Sequence, residues 1–291
     1  MPDGLIVKAF SNFFTTEIDG RRINLQLPGK FRQSGDKAYA GDRVVVELDG
    51  NEGIITEILP RKSLLQRPPI ANVDNVLIVL STKMPGLSLG LLDRLLVLIE
   101  DENLKPIIII NKIDLLSELT EVNQIIEVYR DIGYPVICTS ALSGEGISKL
   151  KEALSQGITV VAGPSGAGKS TLLNAISPDL NLATGAVSKK LKAGRHTTRN
   201  VELLKVEGYG FLADTPGFSN LDITSVAKER LGHCFLEFRD LSLNCRFRGC
   251  LHKSEPDCAI KERVQGDIAE WRYKNYLSML EEIEEWEERR Y

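Results

Sequence analysis

The sequence predicts a multidomain chain in three parts: an N-terminal OB-like β-barrel, a central α/β domain and a C-terminal helical domain built around a metal. Three observations predict it. Short apolar runs broken by turn signals fill residues 1–68, and apolar strands alternate with helices over residues 69–222. Three of the five cysteines and one of the three histidines then crowd into one stretch of residues 223–291. At 291 residues the chain is long enough for several domains and a substantial core.

In the first part, GLIVKAF, TTEIDGRRINLQL, RVVVEL and GIITEIL read as strands, with GKFRQSGDKAYAGD as the long connection. Asp19-Gly20 and Asp49-Gly50 are turn signals between apolar runs. This spacing suits an oligonucleotide/oligosaccharide-binding (OB) barrel, and an SH3-like barrel also fits it. RPP at 67–69 reads as a stiff linker. In the second part, VDNVLIVLS, PIIIIN, PVICTSA and ITVVAG are strands. Between them lie the amphipathic helix LLDRLLVLIEDENL, a helix reaching about Arg130, and GISKLKEAL; STLLNAI opens the next helix. Continuous apolar strands alternating with helices argue for a parallel sheet covered on both faces. NVELLKVEG and YGFLADTPG form a hairpin with an aspartate at the strand end. The last part is helical and polar, and its terminal YLSMLEEIEEWEERRY reads as a solvated acidic helix.

Composition excludes some classes of function. No apolar run approaches the roughly twenty residues of a membrane span, and MPDGLIVKAF lacks the features of a secretory signal. A net charge of −4 gives no global basic field, so nucleic-acid binding has to rest on local patches. An odd number of cysteines, clustered with a histidine, favours reduced thiols and a metal over disulfides. The expectation is a cytoplasmic protein with no membrane partner.

The run Gly163-Pro164-Ser165-Gly166-Ala167-Gly168-Lys169-Ser170-Thr171 lies between a strand and a helix, the context of a phosphate-binding loop. Its glycines let backbone N–H groups approach phosphates, Lys169 neutralises the β- and γ-phosphates, and the Ser170 hydroxyl suits Mg²⁺. Asp214 of DTPG, at a later strand end, suits the same Mg²⁺ through water, and the Gly217 N–H suits a γ-phosphate. Upstream, IIIINKID ends in Asn111, Lys112 and Asp114. Asp114 can accept from the guanine N1 and amine hydrogens, a pairing adenine does not offer. Asn111 can tether neighbouring loops, and the Lys112 stem can cover the base. Ser140 and Ala141 follow at another strand end, where the Ala141 N–H suits the guanine O6. A buried acceptor left unpaired is costly, so the set favours GTP and GDP over ATP.

The set NKID, TSA, GPSGAGKST, GRHTTR and DTPG resembles a circularly permuted P-loop GTPase domain, with the base reader ahead of the phosphate loop. With the barrel before it and the Cys/His cluster after it, essentially the whole chain resembles the RsgA (YjeQ/YloQ) family of ribosome small-subunit-dependent GTPases. The resemblance implies GTP hydrolysis on the small ribosomal subunit in its late maturation, with rRNA contacts from the barrel and the metal domain, by a monomer. A GTP-gated RNA-binding module with incidental hydrolysis is the alternative.

One of Thr197 and Thr198 would supply a second hydroxyl to Mg²⁺, and the sequence does not choose between them. Phe218 stands where many GTPases carry the glutamine that orients the attacking water. His196 is the candidate replacement, supported by the resemblance; contact with an RNA phosphate is its other reading.

Cys245, Cys250, His252 and Cys258 suit one tetrahedral Zn²⁺, and four protein ligands make the site structural. His233 and Cys234 are left out of it. Arg246, Arg248 and Lys253 interleave the ligands, either for RNA phosphate or as solvated charges. In the barrel, Phe10, Phe13, Phe14 and Phe31 can stack on bases or fill the core, and core packing is the default.

Overall fold

The computed structural model describes residues 3–29, 31, 37–50, 52–66, 68–154, 157–182, 201–213 and 221–290. The chain divides into two compact units: Met1–Leu77 with Ile147–Ala162 and Lys169–Ser219, and Ile78–Gly146 with Gly163–Gly168 and Asn220–Tyr291.

In the first unit, β1 (Asp3–Phe10), β2 (Phe13–Ile18), β3 (Arg21–Gln26), β4 (Arg43–Asp49) and β5 (Glu52–Ile58) close into a barrel in the order β1-β2-β3-β5-β4. β1 pairs antiparallel with β2 and β4, and β3 meets β5 in parallel at Gln26 and Ile54. That order is the OB arrangement, which settles the choice against an SH3-like barrel. Alternation along the strands puts Ile6, Phe14, Leu25, Val44, Val46 and Ile55 in the core. Asp19 and Gly20 both have positive φ, 48° and 77°, as a two-residue hairpin turn requires.

The expected stiff linker is instead a small hairpin, in which β6 (Leu64–Gln66) pairs with β7 (Pro69–Ala71). Pro69 is the first residue of its strand, the position where a missing N–H is tolerated. Ala71 N donates to Ala40 O at 2.9 Å and Asn72 Nδ2 to Gly41 O at 2.8 Å, which fastens the hairpin to the barrel. The backbones touch so closely that a Cβ on Gly41 would lie 2.0 Å from Ala71 O.

Six further strands form one sheet in the order β10-β9-β8-β11-β13-β12. They are β8 (Val73–Ser81), β9 (Lys105–Asn111), β10 (Val136–Thr139), β11 (Gly157–Ala162), β12 (Leu203–Val206) and β13 (Gly210–Ala213). β9 and β10 are parallel, as are β11 and β13, while β12 is the antiparallel half of the expected hairpin. Helices α1 (Leu89–Asp101), α2 (Thr120–Ile132), α3 (Ile147–Ala153) and α4 (Lys169–Ile176) fall where the sequence places them. Ser88 Oγ caps α1 by accepting from Leu91 N at 3.3 Å, and Gly133 ends α2 with φ 111°.

Within the second unit, α5 (Lys228–Leu231), α6 (Leu236–Ser242), α7 (Ala259–Glu262) and α8 (Glu270–Arg289) surround an apolar core that includes Val97 of α1. The last helix is not the solvated one that its sequence predicts. The terminal helix is acidic only toward its end; Tyr276, Met279, Leu280 and Ile283 recur at helical spacing and are buried. The same face buries Arg272 completely, between Asp93 of α1 at 2.5 Å and Glu237 of α6 at 2.7 Å. Tyr129 and Asn275 donate the remaining hydrogen bonds to Asp93, at 2.5 and 2.6 Å. Burial pushes the Asp93 carboxyl up, while Arg272, Asn275 and Tyr129 pull it back. The Arg272 guanidinium also lies over the Phe235 ring at 4.5 Å and the Tyr129 ring at 5.4 Å.

Candidate active site and metal centre

The phosphate loop starts where β11 ends and runs into α4. Its glycines are required by geometry. Gly163, Gly166 and Gly168 have φ of 130°, 86° and 91°, and a Cβ on Gly163 would lie 2.1 Å from Val79 O. Pro164 accepts from the Ala167 N–H at 3.3 Å, and Ser165 and Gly166 face solvent. Lys169 and Ser170 are half-buried in the first turn of α4, with Thr171 exposed behind them.

Asn111 ends β9 and is 1% exposed. Its Nδ2 donates to Ala167 O of the phosphate loop at 2.9 Å. Its Oδ1 accepts from Thr139 Oγ1 at 3.1 Å and, more weakly, from Ala141 N at 3.4 Å. One amide thus joins three segments that are far apart in the chain. A Cβ on Gly168 would lie 2.5 Å from that same Nδ2. Asp114 sits on a 3₁₀ turn, exposed, with one carboxylate oxygen accepting from the buried Ser140 hydroxyl at 2.5 Å. Ser140 Oγ in turn accepts from Ser143 N at 3.1 Å, so the carboxylate has a fixed support.

Residues 81–86 were missed by motif reading, and they touch this site. Thr82 Oγ1 donates to Lys112 O at 2.8 Å, and Lys112 Nζ donates to Met84 O at 2.6 Å. Their one sequence signal is position: they leave the carboxyl end of β8, the edge where open α/β sheets hold ligands. His196, Thr197, Thr198, Asp214, Gly217 and Phe218 lie outside the described residues.

The four metal candidates come together. Donor atoms of Cys245, Cys250, His252 and Cys258 lie within 4.8 Å of one another. His252 Nδ1 is 3.6 Å from Cys245 Sγ and 3.4 Å from Cys258 Sγ, and those two sulfurs are 4.0 Å apart. Tetrahedral zinc with bonds of roughly 2.0–2.3 Å needs edges of about this length, so the donor set fits one structural Zn²⁺. Tyr273 and Tyr276 of α8 hold the ligand loop by donating to His252 O at 2.8 Å and Leu251 O at 2.5 Å. Glu255 accepts from the backbone N–H of Leu251 and Lys253. Cys234 is not part of the cluster; its thiol is buried, pushed up to about 12 by that burial, and lies 3.5 Å from Arg230 O.

The proposed RNA-facing groups divide. Phe14 and Phe31 are in the barrel core, whereas Phe10 and Phe13 face each other across the β1–β2 pair, 52% and 56% exposed. Arg246 pairs with Asp257 and Lys253 with Glu284, which favours solvated charge for these two. Among the described residues no helix is long and apolar enough to cross a membrane.

Comparison with known proteins agrees with this geometry. A family model described as RsgA GTPase matches residues 58–224. The small ribosomal subunit biogenesis GTPase RsgA of Shouchella clausii is 45% identical over the full length of both chains. Its counterpart in Geobacillus thermodenitrificans is 46% identical, covering 98% of each chain. The crystal structure of YjeQ from Thermotoga maritima, 43% identical, superposes with a TM-score of 0.87 over 97% of this chain and 98% of that one. YloQ, described as a circularly permuted GTPase, is 39% identical with a TM-score of 0.84, covering 98% of this chain and 96% of its own.

Proposed function

Because the chain belongs to the RsgA GTPase family, we propose that it binds the small ribosomal subunit and hydrolyses GTP there during late maturation of the subunit. The observation that carries this reading is Asn111, whose single buried amide joins the base-reading strand to the phosphate loop. In this reading Asp114 accepts from guanine N1 and the exocyclic amine, the Lys112 stem covers the ring, and Ser140 and Ala141 border O6. The backbone of residues 163–171 holds the phosphates, and Lys169 neutralises them. Ser170 and Asp214 would hold Mg²⁺, which supplies charge neutralisation when bound, and the Gly217 N–H meets the γ-phosphate. Thr197 or Thr198 supplies a further hydroxyl, and His196 orients the attacking water in the place of a glutamine.

The three-part division at 1–68, 69–222 and 223–291 belongs to the same proposal, with rRNA gripped by the first and last parts. Phe10 and Phe13 are the aromatic surface suited to stacking on unpaired bases. The protein acts as a cytoplasmic monomer. Phosphate release measured with and without purified small subunits tests the reading, with ATP as the control nucleotide. Turnover should rise at least about tenfold on the subunit, as expected when a partner orders a catalytic loop. His196→Ala should remove most of that rise while GTP still binds. Turnover that ignores the subunit would overturn the proposal.

A further inference from the structure

Thr82 occupies an unusual place beside the base-reading turn. Its N–H donates to Asn111 O at 3.1 Å and its hydroxyl to Lys112 O at 2.8 Å. One residue therefore holds both carbonyls that flank the Lys112 Cα. Between them Lys112 is left-handed, with φ 63° and ψ 38°. A residue with a Cβ keeps that conformation only where its surroundings over-determine it. The rest of the 81–86 loop completes the enclosure. Lys112 Nζ donates back to Met84 O at 2.6 Å, Lys83 Nζ donates to Leu115 O at 3.0 Å, and Ser81 Oγ donates to Pro85 O at 2.6 Å. Pro85 Cδ lies 3.3 Å from where a Cβ on Gly166 would be, so the loop also abuts the phosphate loop. Thr82 is only 9% exposed, and water is a poor substitute for its hydroxyl.

We propose that Thr82 is a positioning residue of the nucleotide site, fixing the left-handed turn at Lys112 that aims the lysine stem and Asp114 at the base. The inference rests on the guanine reading given above. Thr82 acts through Lys112, and the Met84 carbonyl is the stop against which the ammonium group is set. Removing the hydroxyl takes away the shorter of two bonds to Lys112 O, leaving the Leu115 N–H at 3.1 Å, and lets the turn relax. Affinity then falls equally for GTP and GDP, because both carry the same base. Turnover at saturating GTP is unchanged, because the phosphates are handled by other residues.

Titration of the full-length protein with fluorescent GDP and a slowly hydrolysed GTP analogue tests this. Thr82→Val should weaken both about fivefold to tenfold, the size of one buried hydrogen bond, with kcat unchanged and KM raised. Thr82→Ser, which keeps the hydroxyl, should stay within about twofold of the parent protein. Glycine adopts positive φ without help, so in a Lys112→Gly background the Val substitution should cost under about twofold. That background separates positioning from a general loss of folding, which it would not rescue. Unchanged affinity in Thr82→Val, or an equal loss in the Lys112→Gly background, overturns the proposal. Failure of Asp114→Asn to weaken guanine binding would instead overturn the base reading, which keeps the two failures distinct.

Discussion

A methyl group on Gly168 would lie 2.5 Å from Asn111 Nδ2, in a backbone with φ 91° that side chains rarely adopt. Gly168→Ala therefore attacks two things together, the turn of the phosphate loop and the Asn111 amide that joins it to the end of β9. Each is worth on the order of 1–2 kcal/mol, so nucleotide affinity should fall about a hundredfold in equilibrium titration. Gly208 is the control: it also has positive φ, but nothing surrounds its Cβ position, so alanine there should leave affinity unaltered. At this scale the sequence was highly legible where chemistry imposes a spacing. A phosphate loop must have glycines at fixed steps, and Asn-Lys-x-Asp must follow a strand. Thr82 was not legible, because a threonine after a strand has no pattern of its own and its partners lie thirty residues ahead. Phe10 and Phe13 show another limit: strand alternation says that neighbours differ in burial without saying which face is inside.

Among the elements, α8 departs most from its sequence pattern. Its glutamates made it look like a solvated helix, but one face carries Tyr276, Leu280 and Ile283 into the core and delivers Arg272 to Asp93. The pairing was invisible in the sequence, since the two residues are 179 positions apart and each is ordinary on the surface of a helix. Removing one partner of such a buried pair strands the other charge. Arg272→Ala should therefore destabilise the protein by about 3–5 kcal/mol in denaturant unfolding, and Asp93→Leu, Glu237→Leu and Arg272→Met together should cost much less than the sum of the three single changes. Additive losses in that cycle would show that the ion pair is not the source. Tyr129 belongs to the same group; burial and then the Asp93 charge push its phenol up, and it donates to Asp93.

For the whole molecule, the order of motifs told more than any single motif. Base reader, phosphate loop and Cys/His cluster follow one another in a permuted order, and the barrel strands precede them all. That much was legible because each piece has its own period or spacing. The joint between barrel and sheet was not, since Arg67-Pro68-Pro69 reads as a linker and Pro69 in fact opens a strand. The metal adds a further expectation at this scale. Elemental analysis should find one zinc per chain, and strong chelation should lower the melting temperature by roughly 10 °C or more as the ligand loop opens. A chain that binds no zinc, or melts unchanged without it, would contradict the cluster. The Arg272–Asp93 contact also has a consequence for how the protein is made. Asp93 lies in α1, whereas its counter-charge stands 179 positions later in α8. During synthesis the Asp93 carboxylate therefore emerges before Arg272, its native counter-charge, and its buried setting is complete only once α8 has been made. A chain cut before α8 would keep the motifs at 107–114 and 163–171 and leave Asp93 without the cation that its buried position requires.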